Sequence, residues 1–366
     1  MRKSVVRKLL FLALVLVAIG CVVVGLKGLV LVPAPPAVRA VSFGYEDVSD
    51  ADFDWARAER RLRAINANAV ALSAGRVEWT PFMWEEFPDA YSADSAVAED
   101  LLARALSHVG DREVTLTIDA FVPRLIEEEQ ALAGVDSAGR SSEFQASASQ
   151  LSHGVVGDRL VAYAVAVASR YRPDFVALSE LHFDDFTFGD DDLADFRRFS
   201  GRKDWPRLKG GQIDVSHDSI ARWRSSVLSG LVARMREGFP PGVGLVVDVR
   251  ASWDSPTGDR AESGHDYEQL LASSELINVW NYFGLSARGA GYTDDLARGL
   301  NASVGSGRYA LSIGLWADDD RTISARELSR ALRLAAKAGA RSVSVTPASK
   351  LSEQHWTVLE QAWAQH

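Results

Sequence analysis

Cysteine is almost absent from this chain: Cys21 is the only one in 366 residues. No intramolecular disulfide can therefore support the fold, and no zinc site can be assembled from thiolates. Histidine is scarce as well, seven residues scattered without metal-ligand spacing. No Gly-rich phosphate loop follows the first strand-like run, no P-loop occurs, and no serine stands in a nucleophile elbow. These gaps argue against nucleotide, zinc and acyl-transfer chemistry, so the expectation is a protein with no cofactor and no metal site. Internal repeats and low-complexity tracts are missing too.

Basic charge is in short supply beyond the first forty residues. Residues 1–40 hold six basic and no acidic side chains, so against a whole-chain charge of −9 the remainder stands at −15. A domain so acidic repels nucleic acid, and no nucleic-acid partner is expected. Solubility is the plainer meaning of the charge.

One long apolar run is present. Residues 9–26, LLFLALVLVAIGCVVVGL, contain no charge and follow Arg2, Lys3, Arg7 and Lys8. Length and basic flank predict a single-pass anchor with its N-terminus in the cytoplasm. The expected organisation is a basic tail at 1–8, a transmembrane helix at 9–32, a Pro-rich linker at 33–37 and a globular domain at 38–366. A cleaved secretory signal and a lipoprotein site at Cys21 within VAIGC are the alternatives. All three place the domain outside the cytoplasm, with the membrane as a partner in the anchored form.

From Val38 onward short β-branched runs alternate with amphipathic helical stretches. The strands are expected at 38–47, 69–79, 113–121, 174–185, 244–251, 276–284, 309–316 and 341–349. Eight such units predict an α/β fold, a (β/α)8 TIM barrel; an open doubly wound sheet is the alternative. Val343 and Val345 alternate with Ser342 and Ser344, and Leu311 and Ile313 with Ala310 and Ser312. One face is bulky, as under a helix layer, and the other small, as at a crowded barrel axis. Two long connections, 122–156 and 186–215, belong on the rim where barrel enzymes hold their sites.

The stretch FVALSELHFDDFTFGDDDLADF, residues 175–196, turns from apolar to acidic at that rim. Continuous alternation through 174–185 puts Phe175, Ala177, Leu181 and Phe183 outward, and Val176, Leu178, Glu180, His182 and Asp184 inward, with Asp185 turning into the loop. Glu180, Asp184 and Asp185 are the catalytic candidates: Asp184 or Asp185 is the expected general acid, with Glu180, Asp119 or Asp248 as the second carboxylate; pairing of Glu180 with Arg250 is the structural alternative. Asp119 and Asp248 end the third and fifth strands, Trp280, Asn281 and Tyr282 the sixth, and Trp316 the seventh. With His182 these form the expected binding set. Carboxylates framed by aromatic rings and an amide suit a carbohydrate: rings stack on sugar faces, amides bond hydroxyls, and two carboxyls perform glycoside hydrolysis. The run Asp190–Asp192 reads as the acidic start of a helix or as a solvated loop, and its spacing lacks a calcium-loop pattern. An aldolase-type barrel is disfavoured because no lysine lies in a predicted strand; Lys350 falls just past the eighth.

The segment DFVALSELHFDDFTFGDDDLADFRRFSG, followed by SIARWRSSVLSGLVARMRE, resembles glycoside-hydrolase-like barrels of bacterial envelopes, including family-10-like hypothetical glycosidases. It is similar, more distantly, to the C-terminal hydrolase domain of the poly-N-acetylglucosamine deacetylase. The likeness rests on the pair Asp184–Asp185, on Phe196, Arg197 and Arg198, and on Trp223 and Arg224. Phe183 stands where the export-type domains place histidine. The resemblance implies a TIM barrel acting on, or merely binding, a cell-envelope or exported polysaccharide.

Overall fold

The period-two runs do form strands, and the computed structural model, which describes residues 34–91, 99–255, 260–286 and 288–363, closes them into a barrel. The strands are β1 (Val38–Phe43), β2 (Ala69–Arg76), β3 (Glu113–Asp119), β4 (Ala133–Val135), β5 (Ser141–Ala146), β6 (Phe175–Ser179), β7 (Gly244–Arg250), β8 (Leu276–Asn281), β9 (Tyr309–Gly314) and β10 (Ser342–Thr346). All but β4 and β5 make the barrel, in the order β1-β10-β9-β8-β7-β6-β3-β2, with every neighbouring pair parallel. The expected anchor at 9–32 lies outside the described residues. Among the described residues no helix is long and apolar enough to cross a membrane.

The core sits between the sheet and the surrounding helices. Val41, Leu116, Val247, Leu311 and Val345 point outward and are wholly buried. They meet helices such as Val155–Tyr171, which buries Leu160, Tyr163 and Val167, and Asp218–Gly238, which buries Ile220, Trp223 and Leu231. Burying each large side chain contributes roughly 1.5–3 kcal/mol. Helix starts and stops are written locally: Ser324 and Glu327 form a reciprocal capping box, and Gly339, at φ 86°, ends the helix Ala325–Ala338.

One expected register is corrected. In β6 it is Phe175, Ala177 and Ser179 that line the barrel interior, while Val176 and Leu178 are fully buried on the other side of the sheet. The strand stops at Ser179 instead of running to residue 185. Glu180 then adopts φ 56°, a left-handed conformation that resets the alternation and turns its side chain inward after Ser179. The bulky-out, small-in pattern of β9 and β10 holds for β6 as well. Phe175 fits inside because it lies against Gly244, where a Cβ would come within 2.6 Å of the ring.

Both long connections leave the C-terminal ends of strands. Residues 122–156 contain the helix Pro123–Glu128, the β4–β5 hairpin and the helix Ala148–His153. Residues 186–215 contain the helix Asp190–Ser200, whose first turn holds the Asp190–Asp192 acids as the sequence pattern implied. The two meet where the Phe188 amide donates to the Val135 carbonyl at 2.7 Å.

Candidate active site

Strand ends bring the polar groups together. A cavity of about 420 Å³ opens among the C-terminal ends of the strands, and Arg76, Asp119, Glu180, Asp248, Asn278 and Trp316 are among its walls. Arg76 reaches it through an irregularity: β2 slips register between Ser73 and Gly75, and Gly75 takes φ 81°. Plain alternation would turn Arg76 outward; the bulge returns it to the inner face. Arg76 Nε donates to Asp119 Oδ2 at 2.8 Å, and the Phe121 amide donates to Asp119 Oδ1 at 2.9 Å. Deeper in the wall, Asp248 accepts from Asn278 Nδ2 at 2.9 Å and from Trp280 Nε1 at 3.4 Å.

Two histidines of opposite tautomer hold the Glu180 turn. The Arg250 backbone N–H donates to His265 Nδ1 at 3.1 Å, so the His265 proton sits on Nε2, which donates to the Leu181 carbonyl at 2.9 Å. At His182, Arg250 Nη2 donates to Nε2 at 2.6 Å, which leaves the ring proton on Nδ1. That Nδ1 is buried, makes no hydrogen bond, and faces Glu180 Oε2 at 3.8 Å. The second Arg250 nitrogen, Nη1, pairs with Asp184 Oδ1. From the hairpin, Gln145 Nε2 reaches both the His182 carbonyl and Asp184 Oδ2 at 3.4 Å. His265 and the Arg250 fork thus fix a backbone conformation that a glutamate adopts only at a cost, typically 1–2 kcal/mol.

Electrostatics separate the acids. Burial, then repulsion from Asp119, pushes Glu180 up to about 7, with Arg250 pulling the other way. Asp119 is raised by burial and drawn back by Arg76. Burial lifts Asp248 to about 6 against its bonds from Asn278 and Trp280. Asp184 goes the opposite way: the Arg250 guanidinium holds it well below the usual carboxylate range, since His182 Nε2 accepts from Arg250 and has no proton to give it. His182 is lowered by burial, and His265 is lowered to about 3 by the same cause, so both rings are neutral near pH 7. A protonated Glu180 beside an Arg-paired Asp119 is an arrangement able to donate and accept a proton across one bond.

The structure sorts the residues singled out in the sequence. Glu180, Asp119, Asp248, Tyr282 and Trp316 line the cavity. Trp280 is 9% exposed and stacks on Tyr282 at 5.3 Å and 7°, and Tyr282 meets Trp316 at 5.1 Å. Gly314 makes room for this wall, since a Cβ there would stand 2.4 Å from the Tyr282 ring. His182 and Asp184 stand behind Glu180 in the Arg250 network, and Asp185 is exposed on the following loop. Asn281 does not join them: it faces the helix Tyr292–Ser303 and donates to Thr293 Oγ1 at 2.8 Å, and Asn278 is the amide in the cavity. The sequence reading missed Arg76, Asn278 and His265. A glycine inside the β2 pattern and the alternation of β8 were the available signals for the first two; nothing local marks His265.

No family model matches the chain, and no curated protein matches it in sequence. Solved structures do resemble it in fold. The PgaB (BpsB) glycoside hydrolase domain from Bordetella bronchiseptica superposes with TM-score 0.70 at 14% identity, covering 90% of this chain and 100% of that one. Alpha-L-fucosidase isoenzyme 2 from Paenibacillus thiaminolyticus gives TM-score 0.64 at 14% identity over 89% of this chain and 49% of that chain, about half its length. A chitinase from Chromobacterium violaceum gives TM-score 0.51 at 13% identity over 90% of this chain and 100% of that one. The resemblance to glycoside-hydrolase TIM barrels read from the sequence is therefore met by the fold.

Proposed function

We propose that this protein is a glycoside hydrolase acting on a cell-envelope or exported polysaccharide, its barrel held outside the cytoplasm by the apolar segment 9–32. The observation that carries the reading is the pair Glu180 and Asp119, two carboxyls of unequal environment, one just past the end of β6 and the other at the end of its neighbour β3. Glu180, protonated near neutral pH, gives its proton to the glycosidic oxygen. Asp119, kept available as a carboxylate by Arg76, acts on the opposite side of the anomeric carbon as base or nucleophile. Trp316 and Tyr282 offer ring faces to sugar, and Asn278 and Asp248 offer polar partners to hydroxyls.

Asp184 is given a positioning role, because its ion pair with Arg250 keeps it charged and unable to donate a proton. Asp185, on the exposed loop, is left outside the chemistry. The aromatic wall would serve a glycan-binding barrel without turnover equally well, which makes that the second reading. Product release and binding, measured together on a panel of envelope and exopolysaccharide fragments, separate the two. Glu180→Gln should cost ~10²–10⁴-fold in rate with affinity kept, and Asp184→Asn considerably less. Binding by the unaltered protein without turnover on any fragment, at any pH, would establish the binding barrel instead.

A further inference from the structure

The barrel axis is unlike a filled core. TIM barrels ordinarily pack their interiors with bulky branched side chains in layers. Here the inward residues Ala40, Ala71, Thr115, Ala177, Ala310 and Ser344 are small, and the bulk on the axis comes from Phe175, Val246 and Leu276 on β6, β7 and β8. Ala40, Ala71, Thr115 and Ala310 are half-buried, whereas their outward neighbours Val41, Val70, Leu116 and Leu311 are 1% exposed or less. A water-sized sphere therefore touches the axis but not the layer behind the sheet. The cavity under the carboxylates does not stop at them: its lining continues down to Val38, Glu113 and Ser342, which begin β1, β3 and β10. Two polar atoms along this path, Asn278 Oδ1 and Ser344 Oγ, are buried without a hydrogen-bond partner in the protein. The space takes on the order of ten water molecules at roughly 30 Å³ each.

We propose that the barrel axis is a water channel, a hydroxyl-lined column binding a chain of waters from the N-terminal end of the barrel to the carboxylates at its mouth. Resting on the glycosidase reading, the channel has a use: it resupplies the site while a polymer covers the mouth. Each hydrolysis consumes one water. Its oxygen joins the anomeric carbon as the bond to the leaving oxygen breaks, and its two protons end on the new hydroxyl and on the leaving alcohol.

The test is thiol accessibility in the full chain with Cys21→Ser as background. Ser344→Cys places a thiol on the axis, and Val343→Cys, one residue away, places one behind the sheet. A small cationic methanethiosulfonate reagent should label the first in the folded protein and leave the second untouched until denaturation. Equal inertness of both positions, repeated with Ala310→Cys on the axis, would overturn the channel, as would a crystal structure with a dry axis. Labelling at Ser344→Cys should also slow hydrolysis at least tenfold while glycan affinity stays within twofold. Unchanged hydrolysis with the axis labelled refutes the supply role and leaves the glycosidase reading intact. Labelling at Ser344→Cys together with an unaltered protein that hydrolyses no glycan refutes that reading and leaves the channel standing.

Discussion

Glu180→Gln should disable the protein at every pH and stabilise it only above mildly acidic pH. The carboxyl of Glu180 is moved from an ordinary value of 4.5 to about 7 by burial and by Asp119. The folded state therefore holds this proton more tightly than the unfolded chain does. Below 4.5 both states are protonated and no penalty exists; as pH rises through 7 the folded state must carry a buried charge, and stability is lost. The interval corresponds to about 3 kcal/mol. Because the side chain is 32% exposed, solvent screening reduces it to roughly 1–2 kcal/mol. Glutamine keeps the shape and the left-handed backbone, so the comparison isolates charge from conformational strain. Urea unfolding at pH 4.5 and pH 8 is the assay. The variant should match the unaltered protein at the acidic pH and exceed it by roughly 1–2 kcal/mol at pH 8. Equal stability at pH 8, or a less stable variant there, would show that Glu180 is not held protonated, and the proton-donor role would go with it.

Two further outcomes bear on the frame of the site and on its location. His265→Leu leaves the Arg250 amide and the Leu181 carbonyl without partners in a buried place, so unfolding should require about 2–4 kcal/mol less; a loss under 0.5 kcal/mol would mean that His265 does not hold the Glu180 turn. Protease added to intact spheroplasts should digest the barrel, because the basic residues before segment 9–26 favour a cytoplasmic N-terminus; a barrel protected until lysis contradicts the proposed topology.

The barrel was legible because each strand's outer face must be bulky to sit under helices and each inner face small to fit the axis. Val343 and Val345 against Ser342 and Ser344 display that rule openly, and the structure agrees. The same rule was available for β6, yet reading the alternation back from the acids at 180–184 reversed it. Alternation carries across a strand end only when the backbone stays extended, and Glu180 at φ 56° breaks it. A similar break, the Gly75 bulge, hid Arg76. Asp119 and Asp248 were placed correctly because both lie inside regular strands. The pairing of Arg250 with His182 and Asp184, and the brace from His265, join residues up to 84 positions apart and leave no local pattern to read.

The central claim is that Glu180 protonates a glycosidic oxygen held opposite Asp119. A crystal structure of the Glu180→Gln variant with an oligosaccharide that the unaltered protein cleaves addresses it directly. The claim predicts an intact glycosidic oxygen about 3 Å from the side chain at position 180, with Asp119 on the far side of the anomeric carbon. A glycan whose scissile oxygen lies against Asp184 or Asp185, with position 180 out of reach, contradicts it.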